Sequence, residues 1–331
     1  MKQQITFYLP ESCFPAPIWE KSWKEKAPFP AEAIIPPIFS AQNWIYQTWL
    51  LLNEAGVECE LTSQMPQQGI VIALNSSLEV FEEWHRPIPP NVFFVDIVTQ
   101  RFVHPAAHFH LVQNKKRAHF LPDSLFVPHW PQPHLLARDP DRGDRFENAY
   151  FVGQTYQCHR EIFSLEWIQE VRRRAGIYLE MPPVEFWHDY RHADVSIALR
   201  NAAALHHFNK PATKLYNAWH AGIPFIGGKE SGYLGEGTVE KNYLQANSAS
   251  ELLAQLIRLK EDVALRKKLV EQGSAAAKRV STEAILKYWK FLVSEKLPTL
   301  AEIFSQHSPR ERHLFLMRKK MIRLANRYFA I

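Results

Sequence analysis

The stretch Lys210-Pro211-Ala212-Thr213-Lys214-Leu215-Tyr216-Asn217-Ala218-Trp219-His220-Ala221-Gly222-Ile223-Pro224-Phe225-Ile226-Gly227-Gly228-Lys229-Glu230-Ser231-Gly232-Tyr233 decides the fold. Leu215, Ala218, Trp219 and Gly222 recur at helical spacing. Ala221-Gly222 predicts the stop, because glycine tolerates the left-handed turn that ends many helices. Pro224-Phe225-Ile226, short and apolar, reads as a central buried strand. Gly227-Gly228 lets the backbone come close to a ligand, and Glu230 and Tyr233 follow it. In open α/β sheets, ligands bind just past the carboxyl ends of the strands. Lys210 and Lys214 therefore stand before and within a helix, and a loop of glycine, acid and tyrosine leaves the strand. Cations suit a diphosphate and acceptors suit hydroxyls, so the pattern fits a sugar nucleotide.

Working outward, the flanking sequence alternates strand and helix. Ala149 to Gly153 restarts a strand, Glu161 to Ala175 is a helix, and Ile177 to Leu179 is a strand. Asp194 to Leu199 is a further strand that ends in Arg200. Ser250 to Lys260, Val263 to Gln272 and Thr282 to Glu295 are amphipathic helices. Before this half, Arg138-Asp139-Pro140-Asp141-Arg142-Gly143-Asp144-Arg145 is charged and holds both proline and glycine, the composition of a linker. The first half reads as strands at Ile5–Leu9, Val57–Leu61, Gly69–Leu74, Val92–Asp96 and Phe109–Val112, with a helix over Ala41–Ala55. A proline-rich segment, Glu11 to Ser40, is too long for an ordinary turn. Strands alternating with helices imply mostly parallel sheets.

The resulting organisation is residues 1–140 as an amino-terminal domain, 149–295 as a second domain and 296–331 as a basic helical tail. The tail explains the charge balance. Of a net +5, residues 309–331 carry +6, so the remainder is −1 and no basic surface spans the molecule. Nucleic acid is therefore not an expected partner. Cys13, Cys59 and Cys158 are scattered without metal-ligand spacing, which points to a reducing cytosol. The first residues show no signal peptide, and no apolar run approaches the roughly 18 residues of a membrane span. A G-x-G-x-x-G fingerprint is absent, against a dehydrogenase.

Lys210, Pro211, Lys214, Leu215, Ala218, Ala221, Gly222 and Pro224 match a "K-P-x-x-K-L-x-x-A-x-x-A-G-x-P" segment. In this the chain resembles the nucleotide-sugar-dependent glycosyltransferases of the GT-B fold. The resemblance covers residues 149–295 and is one of layout alone in the first half. It implies two Rossmann-like domains facing a cleft, residues 1–140 on the acceptor side and 149–295 holding the donor, with carboxy-terminal helices crossing back to the first domain. It also implies transfer of a hexosyl or related sugar from a nucleotide-sugar donor to a glycan, lipid-linked or small-molecule acceptor. One departure stands out: Asn217 and Asn209 occupy positions where many retaining members have glutamates. That departure motivates a second reading, a non-catalytic protein of this fold that binds a glycan or a partner.

Departure of a diphosphate needs fixed positive charge, and fixed cations and helix amides supply it. Arg200, at a strand end, and Lys214, in the first turns of a helix, are the candidates, against a reading as ordinary surface charges. With them no metal need be invoked, and no Asp-x-Asp motif is present. Lys210, Asn217, Gly228, Glu230, Ser231, Gly232 and Tyr233 are the expected donor contacts. Asp96, at a strand end of the first domain, either takes the acceptor's proton or caps a turn. His108 and His110, near His104 and His119, face one side of a strand. Gln42 and Asn43 open the first long helix, a position that in the resembling fold approaches the donor phosphates. In the tail, Leu314, Met317, Met321, Leu324 and Tyr328 form an apolar stripe flanked by Arg312, Lys319, Arg323 and Arg327. Such a helix either lies on an anionic membrane or packs back on the first domain. The expected location is thus cytoplasmic, with a peripheral membrane contact if the first alternative holds.

Overall fold

A computed structural model of the 331-residue chain describes residues 3–10, 25, 38–80, 87–99, 102–200, 207–308, 310–312, 314–315, 317–319 and 321. Two compact units divide it. The first comprises residues 1–128 and 283–331, the second residues 129–282.

The first unit holds a six-stranded parallel sheet of β1 (Ile5–Tyr8), β2 (Glu60–Thr62), β3 (Gln68–Leu74), β4 (Asn91–Val98), β5 (Phe109–Val112) and β6 (Ser124–Phe126). Its order is β2-β1-β3-β4-β5-β6. β3 and β4 are apolar at nearly every position because both faces of the sheet are covered, so alternation disappears from their sequence. β6 is partly exposed and only three residues long, and no hydrophobic pattern announces it. The first helix runs through a π-helical turn at Gln42–Tyr46 into α1 (Gln47–Glu54).

The carboxy-terminal helices α9 (Thr282–Phe291) and α10 (Leu297–Ser305) run with this first unit, so the stretch 283–295, which the sequence reading placed in the donor domain, belongs to the first unit instead. Trp289 lies against Phe7 at 6.2 Å between ring centroids, and Tyr288 donates a 2.9 Å hydrogen bond to the Phe126 carbonyl. The expected proline-rich segment falls almost wholly outside the described residues, as does the tail beyond Met321.

The second unit holds a five-stranded parallel sheet of β7 (Asn148–Tyr150), β8 (Tyr178–Glu180), β9 (Val195–Ala198), β10 (Phe225–Gly227) and β11 (Leu244–Gln245). Its order is β11-β10-β9-β7-β8. Helices α4 (Leu165–Ala175), α5 (Thr213–Ala221), α7 (Ala249–Glu261) and α8 (Val263–Ala277) belong to this unit. Ile197, Ile226, Leu252 and Leu256 share its main core cluster. Gly222 ends α5 in the left-handed region at φ 70°, where a side chain would be strained.

The boundary differs from the sequence expectation. The charged run 138–145 is not a linker but part of the second unit, held by one buried carboxylate. Asp194 accepts from Arg138 Nε at 3.0 Å, from Arg142 Nη2 at 2.7 Å, and from the backbone N–H groups of Glu147 and Asn148 at 2.8 and 3.0 Å. Composition alone resembles a linker because these arginines are polar, but their guanidinium groups are spent inside the fold. No helix among the described residues is long and apolar enough to cross a membrane.

Candidate functional site

The second sheet changes direction at β7. From it the chain goes to β8 on one side and to β9, β10 and β11 on the other. The crevice past the carboxyl ends of β7 and β9 is therefore its topological switch point, where ligands of such sheets bind. Arg200 follows β9 there and bridges to Cys158, while the Gly228 N–H bonds the Ala198 carbonyl at 3.0 Å. Phe151 to Gly153 follow β7.

Lys214 enters from the first turn of α5, whose start no side chain caps among the described residues. Its Nζ lies 4.2 Å from the Phe151 ring centroid. This partly buried ammonium makes no hydrogen bond or ion pair with any described residue. Burial, helped by the charge of Arg200, pushes its pKa down to about 8. Gly153 makes room for it. With φ 145° and a Cβ position only 2.8 Å from Lys214 Nζ, a side chain there would displace the ammonium. The sequence reading missed Gly153, although a glycine directly after the unit's first strand was the available signal.

Arg200 Nε donates to Glu230 Oε2 at 2.7 Å, and Glu230 is 4% exposed. Burial raises the Glu230 carboxyl against the pull of Arg200. Burial opposes charge on Arg200 too, but Glu230 outweighs it and holds the guanidinium above its usual pKa. Lys210 lies within electrostatic reach of both, lowered mainly by burial and then by Arg200. Three cations thus converge with one carboxylate.

The remaining expected contacts divide. Ser231 begins a short helix, α6 (Ser231–Glu236), where the sequence suggested a loop. Gly232 lets this helix close on the preceding segment, since a Cβ would sit 3.0 Å from the Lys210 carbonyl. Gly228 has no such need, its Cβ position meeting nothing closer than 3.6 Å. The tight glycine is Gly227, where a Cβ would come within 2.5 Å of the Phe225 ring. Tyr233 is core, 1% exposed and edge-on to Phe225 at 4.9 Å, rather than a surface contact. Asn217 is also buried, its Oδ1 accepting from the Gln132 N–H at 3.4 Å.

Asp96 belongs to the first unit and is fully buried in β4, so it is not the accessible base that its strand position suggested. His110 Nδ1 donates to one of its oxygens, and the His104 N–H donates to the other at 2.8 Å. His110 Nε2 accepts in turn from Lys319 Nζ at 3.0 Å, and Lys319 pairs with Asp123 at 3.1 Å. Asp96 stays below the usual carboxylate range although burial opposes this, because His110 stabilises its charge. Its observed role is to anchor a buried polar chain that seats the terminal helix. His108, expected on the same face, is also buried, and its Nδ1 accepts from the Phe94 N–H at 2.8 Å. Gln42 and Asn43 lie buried in the π-helical turn of the first unit, and both Asn43 amide atoms lack partners among the described residues.

No protein-family model matches the chain, and no curated protein matches it in sequence. Solved structures do resemble it. The pneumococcal O-GlcNAc transferase GtfA, in complex with UDP and GlcNAc, superposes with a TM-score of 0.53 at 13% identity, covering 77% of this chain and 60% of that one. TarM gives 0.52 at 9% identity over 76% of this chain and 59% of its own. HepE from Anabaena, in complex with UDP and glucose, gives 0.53 at 10% identity over 88% of this chain and 100% of its own. The chain spans about three fifths of the length of the first two. The likeness establishes the fold alone: two Rossmann-like domains, as in these GT-B structures.

Proposed function

We propose that this protein is a Leloir-type glycosyltransferase that binds the diphosphate of a nucleotide sugar at the switch point of its second sheet. The observation that carries this reading is Lys214, a partly buried ammonium beside Arg200 that makes no hydrogen bond or ion pair with a described residue, in a site where three cations share the single carboxylate of Glu230. Such a cation is costly unless a ligand supplies the negative charge. Lys214, Arg200 and the uncapped start of α5 then stabilise the charge that develops on the departing diphosphate, in place of a metal. Lys210 adds to that field, and Glu230 and Ser231 lie beside the sugar. The UDP complexes of the structural neighbours favour UDP as the leaving nucleotide. A glycan or lipid-linked molecule is the acceptor, and the work is done in the cytoplasm.

The pH dependence of donor binding tests this. The charged form of Lys214 binds phosphate, so affinity for UDP is expected to be flat between pH 7 and about 8 and to fall above it. The nucleotide's own phosphate is already ionised throughout, its last pKa lying near roughly 6. Calorimetric titration with UDP, GDP and ADP from pH 7 to 9.5 measures it. Binding of none of them would favour a non-catalytic protein of this fold.

The terminal helix supports a peripheral contact with an anionic membrane. Leu314, Met317 and Met321 are 58%, 46% and 64% exposed on one face, with Arg310 and Arg318 also exposed. Lys319 does not flank this stripe but points inward, which turns the apolar face outward. Exposed cations there add about 1 kcal/mol each at an acidic surface. The full chain is expected to co-sediment with phosphatidylserine vesicles at low salt, and a variant with Leu314, Met317 and Met321 all changed to Gln is not. Equal sedimentation of both would remove the membrane contact.

A further inference from the structure

The cationic site already contains one anion of its own. Glu230 grips Arg200 through Oε2, while Oε1, also buried, has no hydrogen-bond partner among the described residues. Half of this carboxylate is therefore satisfied by a group that a phosphate would also seek, and half is not satisfied at all. A buried carboxylate oxygen without a donor is unfavourable, and a second anion brought against the first is more so.

Building on the donor-site reading above, we propose that Glu230 is a specificity-determining residue that competes with the donor's diphosphate for Arg200 and so discriminates an intact nucleotide sugar from free nucleoside diphosphate. An incoming diphosphate takes the Arg200 guanidinium and displaces the carboxylate. An intact donor compensates, because a sugar hydroxyl can donate to the displaced Glu230. Free nucleoside diphosphate offers no such hydroxyl beside its terminal phosphate, so its binding leaves the carboxylate uncompensated among phosphates. The consequence is weak retention of the product relative to the substrate. The position suits this task. Glu230 directly precedes α6 and follows the end of β10 by three residues, and at that strand end Gly227 leaves no room for a side chain against the Phe225 and Tyr233 rings.

The test is Glu230→Gln, which keeps the shape and removes the charge. Calorimetry with UDP and with inorganic pyrophosphate is expected to show both binding about tenfold more tightly to the variant than to the wild type, the scale of one relieved like-charge contact. A merely structural Glu230 would leave affinity unchanged or weaken it, and either result overturns the proposal while leaving the donor site intact. Failure of both probes to bind either protein at millimolar concentration overturns the donor-site reading as well. A structure of the wild-type protein with UDP provides a measurement that needs no variant. The expected arrangement has the Arg200 guanidinium on a phosphate and its contact with Glu230 broken. A retained 2.7 Å pair beside bound UDP would contradict it.

Discussion

Replacing Lys214 by alanine is expected to lower sugar transfer by roughly 10²- to 10³-fold at saturating donor, the range for removing one preorganised charge stabiliser. The same is expected of Arg200→Ala. The reason is geometric as much as electrostatic. Phe151 below the ammonium and Gly153 beside it hold the Lys214 charge at the sheet's switch point without neutralising it, so on the proposed reading it would stabilise phosphate charge with little reorganisation. Removal of the ammonium should leave folding nearly intact, because Lys214 spends no hydrogen bond on the described protein. The reading to compare is kcat against the thermal midpoint. Wild-type turnover in either variant, at unchanged stability, would take that residue out of the mechanism.

The second large effect is on stability. Asp194→Ala is expected to destabilise the protein by roughly 3–5 kcal/mol, the cost of leaving buried cationic partners uncompensated. Its side chain is fully buried, and it collects two guanidinium groups and two backbone N–H groups. Burial works against its charge, but Arg142, the N–H groups of Glu147 and Asn148, and Arg138 together hold the carboxyl below its ordinary value. A carboxylate depressed in the folded state adds stability above its unfolded pKa of roughly 4. That contribution is lost as pH falls through the lower folded value. Urea unfolding near neutral pH measures the variant's loss, and the wild-type–variant difference should shrink in acid. A loss under about 1 kcal/mol, the range of an exposed pair, would mean that the run 138–145 is not pinned as described.

These two sites also mark how far the sequence carries the structure. The segment from Lys210 to Gly227 was legible because its signals are local: helical spacing, a glycine stop at Gly222, and a three-residue apolar strand. The alternation around it yields the parallel sheet, and with the sheet the strand-end position of Arg200. What was not legible depends on partners distant in the chain. Glu230 meets Arg200 across thirty positions, and nothing in either neighbourhood encodes that pairing. Asp96 looks like an accessible base at a strand end until Lys319, from the terminal helix, covers His110. Lys319 itself reads as a surface cation because helical periodicity separates the faces but does not say which face is buried. Tyr233 sits in a glycine-rich run that reads as a loop, yet it packs on Phe225 because α6 forms there. Arg138 and Arg142 have linker composition but serve a buried acid more than fifty residues away.

The central claim is that the second unit holds a nucleotide-sugar donor at its switch point and transfers the sugar. A panel of UDP-, GDP-, ADP- and CDP-linked sugars, incubated with the wild-type protein and scored for release of nucleoside diphosphate, tests it most directly. The account predicts slow hydrolysis of one donor class, with UDP sugars first, and loss of that release in Lys214→Ala. Release from no member of the panel, or equal release by the wild type and the variant, would contradict it.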